Sequence, residues 1–273
     1  MKNTITSKSI IALAITFFSF NSFAQNFYAK LNGGYSWATA ATSTSSLNEV
    51  GSISSLDKVN FNFGKGINLG GAVGYMFNKN IGAELGINYL LGGNTEFSLK
   101  SSFSNDAYTY SATLLSFIPS IVITPGFDKI NPYAKFGLSI SSASLTLKDE
   151  GSGTPGVSNK ISSQITLYNG GIGLGLVSSL GATYKVADKI SVFAEMCILT
   201  MKYSPTKSEL TESKINGVDN LSNLNTRSKV TEYSDSYSID NSVPTDNNTP
   251  RKSIAPNFPF SSIGVNVGII IGF

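Results

Sequence analysis

Four ionisable residues stand out in a chain that carries few charges: Lys30, Glu84, Lys135 and Glu195. Each lies in a segment that alternates between large apolar residues and small or polar ones, and each falls on the small, polar face. Lysines and carboxylates that share a face can exchange protons, hold an ion or neutralise one another. The 273 residues include no His and a single Cys, Cys197. Without His, a Ser nucleophile would need Lys or Glu as its base. The same absence, with no carboxylate cluster at ligand spacing, argues against a metal site. The glycine run NGGIGLGL does not match a dinucleotide fingerprint. The sequence therefore offers no catalytic residues, no cofactor-binding site and no metal site. A single Cys also rules out an intramolecular disulfide. Buried charges survive when paired. The expected role of Lys30, Glu84, Lys135 and Glu195 is thus a structural ion-pair network inside a narrow lumen, hydrogen-bonded by neighbouring amides. Asn32, Asn68, Asn88, Ser191 and Asn266 share their faces. The alternative is that each charge points separately into a wet cavity.

The elements that must position these residues are strands. Period-two segments run at about Phe27–Trp37, Gly66–Phe77, Ile81–Leu91, Tyr108–Thr124, Pro132–Ser141, Ile172–Val186, Ile190–Tyr203 and Ser261–Phe273. In the last, Ile263, Val265, Val267, Ile269, Ile271 and Phe273 form one face, with mostly Gly and Asn between them. Short turns follow the second, fourth and sixth segments, at Asn78-Lys79-Asn80, Pro125-Gly126 to Asn131, and Ala187-Asp188-Lys189. The other connections, about 38–65, 92–107, 142–171 and 204–260, are long and rich in Ser, Thr, Asn and Gly. They read as solvated surface loops, with a short helix near Thr206–Lys214 as one option. The expected fold class is all-β: an eight-stranded antiparallel up-and-down transmembrane barrel with short periplasmic turns and four long extracellular loops. Leu114 beside Leu115, and Pro119 in the same segment, break the expected period and ladder, so a bulge or bend is expected there.

The large faces are uncharged, and their aromatic residues fall into two bands. Phe27, Tyr75, Phe77, Tyr184 and Phe273 lie at the short-turn end; Tyr35, Trp37 and Tyr89 lie at the other. A soluble barrel of lipocalin type would place the apolar faces inside instead. Alternation by itself allows both readings, and the aromatic bands with Phe273 favour the membrane.

The N-terminus begins with Lys2 and Lys8, continues in an apolar run from Ile10 to Phe20, and reaches Ser22-Phe23-Ala24 before Gln25. This is the pattern of a cleaved secretory signal peptide over residues 1–24, cut between Ala24 and Gln25, ahead of a barrel domain over 25–273. Cleavage would lower the net charge from +3 to about +1. No basic face remains, so no nucleic-acid partner is indicated.

The segments INPYAKFGLSI, LGATYKVADKISVFAEM and VNVGIIIGF resemble the fifth strand, the hairpin of strands six and seven, and the last strand of the outer membrane protein β-barrel domain. The whole strand pattern is similar to the small barrels of Gram-negative bacteria, the group that includes OmpA-type transmembrane domains, OmpX/Ail-type barrels and OmpW. The resemblance implies a bacterial outer-membrane location and partners in outer-membrane lipid and lipopolysaccharide. It also implies recognition of the C-terminal strand, ending at Phe273, by the barrel-assembly machinery. Two functions follow as expectations. One is a non-enzymatic structural scaffold with a side-chain-filled lumen, whose surface loops contact an extracellular ligand. The other is a porin-like narrow channel, or an OmpW-like conduit for small hydrophobic molecules.

Overall fold

The computed structural model describes residues 26–39, 42–50, 53–101, 104–153, 160–238 and 244–273. The leader expected at 1–24, and with it the expected cleavage between Ala24 and Gln25, lies outside the described residues. Eight strands close into an antiparallel barrel: β1 (Phe27–Ala38), β2 (Gly66–Met76), β3 (Ile81–Gly92), β4 (Ser104–Ile123), β5 (Ile130–Gly153), β6 (Gly173–Ala187), β7 (Ile190–Tyr203) and β8 (Ser262–Gly272). Each pairs with its neighbours in sequence, and β8 closes on β1. Following the registers from Tyr28 leads through Gly74, Glu84, Ser120, Gly137, Val177, Leu199 and Ser262, and returns to β1 at Ala38. That stagger of about ten residues tilts the strands by roughly 35–45° and leaves an interior that side chains can fill.

The apolar faces point outward. Leu31, Leu69, Leu85, Phe136, Leu138, Leu180 and Val267 are all exposed on the barrel wall. The inward set at mid-height is polar and buried: Lys30, Asn68, Glu84, Ser139, Ser179, Glu195 and Asn266. A soluble barrel would have the opposite arrangement. Phe27, Phe77, Tyr184 and Phe273 are exposed near the short turns, and Trp37 and Tyr89 near the other rim. The short turns are tightly built. Asn78 Oδ1 accepts from the backbone N–H of Asn80 and Ile81. Asn131 Oδ1 accepts from the N–H of Gly126 and Phe127.

Strand β4 differs from the irregular one expected. Leu114 is buried and Leu115 exposed, so alternation is unbroken and one leucine faces the lumen. The ladder to β5 omits Ile118 and Pro119 but resumes in the same register, Phe117 opposite Ile140 and Ser120 opposite Gly137. Pro119 therefore costs ladder bonds without adding a bulged residue.

The long connections are largely strand rather than loop. β4 and β5 run on beyond the barrel wall as a hairpin paired from Ser104–Gly153 downward. Thr95–Lys100 adds to β4, and Ile161–Asn169 adds to β5. Lys207–Ile215 then pairs with Ile161–Asn169, and Val230–Ser234 and Arg251–Ile254 extend the sheet. The helix considered near Thr206–Lys214 is thus a strand. Its register shifts between Leu210 and Glu212, which brings Ser208 and Ser213 onto the same buried side. A 3-10 turn at Leu221–Asn223 and a helical turn at Thr226–Lys229 are minor additions. Thr42–Val50 and Ile53–Phe61 form a hairpin between β1 and β2, which joins the Thr95–Lys100 strand through Asn48 opposite Lys100.

Candidate functional site

The lumen is layered. At mid-height, β1, β3, β5 and β7 each bring one charged residue to the axis. Lys30 Nζ lies 2.8 Å from Glu195 Oε2. Lys135 Nζ lies 2.9 Å from Glu84 Oε1 and 3.1 Å from Glu195 Oε2. Glu195 is thus shared by both lysines, and the four charges sum to zero. Two phenols complete the network: Tyr28 O–H donates to Glu84 Oε2 at 3.0 Å, and Tyr133 O–H donates to Glu195 Oε2 at 2.7 Å. Lys30 Nζ also sits 3.9 Å from the centre of the Phe193 ring, a cation–π contact. Among amides, Asn266 Nδ2 reaches Glu195 Oε1 at 3.5 Å, a long contact. The neighbours holding the carboxylates are therefore chiefly phenols, where amides were expected.

Tyr28, Tyr133 and Phe193 precede Lys30, Lys135 and Glu195 by two positions each, so they share the inward face and stack one layer below. That parity was available in the sequence as a signal. Small residues opposite make room for them. A Cβ on Gly74 would overlap the Tyr28 ring, and one on Gly181 would come within 2.8 Å of both Tyr133 and Glu195.

Below the charged layer, toward the short turns, a vestibule of about 450 Å³ opens, with Lys30, Glu84 and Lys135 at its floor and Asn78, Lys79 and Thr183 nearer its rim. Above the charged layer lies a smaller cavity of about 90 Å³, walled by Asn32, Ser36, Asn68, Asn88, Ser116, Ser139, Ser179, Cys197 and Asn266. Asn68 Nδ2 donates to Ser36 Oγ, and Asn88 Nδ2 donates to Asn68 Oδ1 at 3.2 Å. Ser141 Oγ donates to Ser116 Oγ at 2.8 Å.

Above this cavity the inward residues become apolar. Leu90, Leu114, Met201 and Phe260 stand two positions beyond Asn88, Ser116, Leu199 and Ser262. With Phe63, Ala112, Ala143, Leu145 and Tyr203 they form one buried cluster. Leu145, Tyr203 and Phe260 are each 0% exposed. Phe63 enters from the connection after β1: its N–H donates to Pro259 O at 2.8 Å, and Asn62 Nδ2 donates to Ser261 O at 2.8 Å. Its ring lies 5.6 Å from Tyr110 and 5.9 Å from Phe260. Alternation alone hid this cluster, because its members follow the inward parity but reverse the polarity expected of it.

Cys197 is a free thiol on the lumen wall. Among the described residues, no group of three or more His, Cys, Asp or Glu is arranged to hold a metal ion. No helix among them is long and apolar enough to cross a membrane. In the projecting sheet, burial and the nearby Asp106 carboxylate push the Asp149 carboxyl above its usual range.

The model of one family, described as "Outer membrane protein beta-barrel domain", matches residues 10–226. No curated protein matches the chain significantly. Among solved structures, the chain is similar to Neisserial surface protein A at 15% identity, covering 90% of this chain and 97% of that one, with a TM-score of 0.38. It is similar to Ail, the attachment invasion locus protein of Yersinia pestis, at 12% identity, with 91% and 99% covered and a TM-score of 0.30. A third is the outer membrane protein AlkL, at 10% identity, with 92% of each chain covered and a TM-score of 0.35.

Proposed function

The chain belongs to the outer membrane protein beta-barrel domain family, and from that premise we propose that it is a non-enzymatic scaffold of the bacterial outer membrane. Its barrel is a closed anchor, and the projecting sheet is the part that meets an extracellular ligand. The observation that carries this reading is the double obstruction of the lumen. The Lys30–Glu195–Lys135–Glu84 layer blocks it at mid-height, and the cluster around Leu145, Tyr203 and Phe260 fills it beyond. A conduit would have to displace both.

A rigid sheet is a better platform than a loose loop, because its side chains are already ordered when a partner arrives. The outward apolar wall supports residence in outer-membrane lipid, with lipopolysaccharide as the neighbouring lipid class. Phe273, whose N–H donates to Phe27 O at 3.0 Å, closes the barrel seam. Its place at the end of β8 supports its proposed role in recognition by the barrel-assembly machinery. Export through a leader cut between Ala24 and Gln25 is part of the same proposal, and N-terminal sequencing of outer-membrane protein starting at Gln25 would support it.

The test is single-channel recording of the refolded barrel in planar bilayers, beside the variant Glu84→Gln/Glu195→Gln. A silent wild type supports the scaffold. Steady wild-type conductance that changes in the variant would replace it with the channel.

A further inference from the structure

The inward parity of β4 and β5 continues past the apolar cluster into the projecting sheet. On β4 it runs from Leu114 and Ala112 to Tyr110, Tyr108 and Asp106; on β5 it runs from Leu145 to Leu147, Asp149 and Gly151. Register lines up Phe97, Tyr108, Asp149 and Gln164 side by side on four neighbouring strands. The Phe97 and Tyr108 rings are stacked, with centres 4.7 Å apart and planes 12° from parallel. Phe97 thus flanks Tyr108 on one side, and Asp149 is its cross-strand neighbour on the other. The next row places Asp106 opposite Gly151 and Gly151 opposite Ser162. A Cβ on Gly151 would come within 2.7 Å of both Asp106 Oδ1 and Ser162 Oγ, so the glycine leaves the space into which the Asp106 carboxylate leans. Ser104 Oγ donates to Asp106 Oδ2 at 3.0 Å.

The charge of this face is not balanced from within. Among the described residues, no Lys or Arg forms an ion pair with Asp106 or Asp149. Lys148 and Lys214 belong to the opposite face of the sheet, where they pair with Glu150 and Glu212. Phe97, Tyr108, Asp106 and Asp149 are half-buried and Gln164 is exposed, so a partner can reach all five. Two carboxylates held near one another without a counter-charge cost the free sheet stability, and an arriving cation removes that cost. An aromatic face attracts a cation. A guanidinium suits both parts of the row, because its plane stacks on a ring while its forked N–H groups donate to a carboxylate. An ammonium would satisfy the carboxylates without the stacking. We propose that this face of the projecting sheet binds an arginine side chain of an extracellular polypeptide, stacked on Tyr108 and paired with Asp149 and Asp106. The inference rests on the reading of the projecting sheet as the part that meets a ligand, and it names that ligand's chemistry.

The experiment measures fluorescence anisotropy of a labelled tri-arginine peptide, blocked at both ends, against the folded barrel in zwitterionic lipid nanodiscs. Tri-citrulline, the uncharged isostere, and tri-lysine are the comparison peptides. Folding of each variant is verified by heat-dependent gel mobility. Wild-type protein should bind tri-arginine more tightly than tri-lysine and should not bind tri-citrulline. Asp106→Asn/Asp149→Asn keeps the shape of the face and removes its like charges, so the sheet should persist while affinity for tri-arginine falls at least about tenfold. Tyr108→Ala should weaken binding about threefold or more, and Tyr108→Phe, which keeps the ring, should restore it. Lys148→Gln/Glu150→Gln removes a pair on the opposite face and should leave affinity within about twofold of wild type. Tri-citrulline binding as well as tri-arginine, affinity unchanged in Asp106→Asn/Asp149→Asn, or an equal loss in Lys148→Gln/Glu150→Gln would overturn the inference. So would binding of maltotriose, an uncharged sugar that can also lie on stacked rings, by a wild type that ignores tri-arginine. Steady wild-type conductance would instead strike the closed-scaffold reading. A silent barrel that ignores tri-arginine would strike the arginine site alone, so the two failures are distinguishable.

Discussion

Lys30 and Glu195 meet at 2.8 Å in the middle of the barrel, with side chains only 2% and 5% exposed. They come from strands on either side of β8, far apart in sequence, and the barrel's closure is what brings them together. Two charges taken this far out of water need good geometry and further hydrogen bonds to hold their ionised forms. Here Phe193 lies under the cation, while Lys135 and Tyr133 also bind the anion. Glu195 is the hub: removing its charge leaves Lys30 without a carboxylate, whereas removing that of Glu84 leaves both lysines still paired with Glu195.

This asymmetry sets the first prediction. Glu195→Gln leaves Lys30 without a carboxylate partner and should destabilise the folded barrel by about 3–5 kcal/mol. Lys30→Met/Glu195→Met removes both charges and should recover most of that loss. Urea titration in lipid vesicles, followed by fluorescence of the single Trp37, provides the comparison. A double variant no more stable than Glu195→Gln would refute the assignment.

Gly74 gives a second test. Its missing Cβ is the space occupied by the Tyr28 ring. Gly74→Ala should displace the phenol from Glu84 and cost about 1–3 kcal/mol through overpacking. Tyr28→Phe keeps the ring and loses only the hydrogen bond, so its penalty should be smaller. Equal penalties would mean that the ring itself is not confined there.

Much of this architecture was legible in the sequence. Period two located the eight strands to within a few residues at most ends, because a membrane barrel must keep one face apolar along every strand. The same rule failed where the membrane ends. Ser104–Ala107 and Ser142–Gly153 are rich in Ser, Gly and charge, which reads as loop, but edge-to-edge pairing carries them on as strands. Lys207–Ile215 has the Lys, Glu and Leu of a helix, and pairing with Ile161–Asn169 overrides that local preference. Of the lumen, charge and parity singled out Lys30, Glu84, Lys135 and Glu195, while the partner phenols passed unnoticed because Tyr also suits an interfacial band. Leu114 looked like an error of period because the inside of this barrel changes from polar to apolar partway up.

That change of polarity can be tested on a single strand. In β5, Leu138 faces outward and is 55% exposed, while Leu145 faces inward and is fully buried. Leu145→Ala should cost about 2–5 kcal/mol, as for a core leucine that leaves a cavity. Leu138→Ala should cost less, since lipid fills the space. Leu138→Arg should cost about 2–4 kcal/mol if that face lies at mid-membrane. Refolding yields and urea midpoints in vesicles would rank the three, and a tolerated arginine at 138 would contradict the outward assignment.

The projecting sheet should respond to pH through Asp149. Burial, then the nearby Asp106, raise its carboxyl's proton affinity in the folded state. Its cross-strand neighbours are Tyr108 on β4 and Gln164 on the added strand, and neither supplies a positive charge. Lys148 and Glu150, beside it in sequence, pair with each other. A carboxyl whose folded affinity is raised binds more protons folded than unfolded, so stability falls as pH rises through its folded value. The cost is absent below the unfolded carboxylate range and fully present at neutral pH. Asp149→Asn should therefore slow amide hydrogen exchange in Tyr108–Tyr110 and Leu147–Glu150 at pH 7, with the difference shrinking toward about pH 4. The barrel wall around Leu138 should exchange at the same rate in both proteins. A variant that exchanges faster at neutral pH, or one whose advantage persists undiminished in acid, would show that Asp149 stabilises the sheet in its ionised form, and the sign argued here would be wrong.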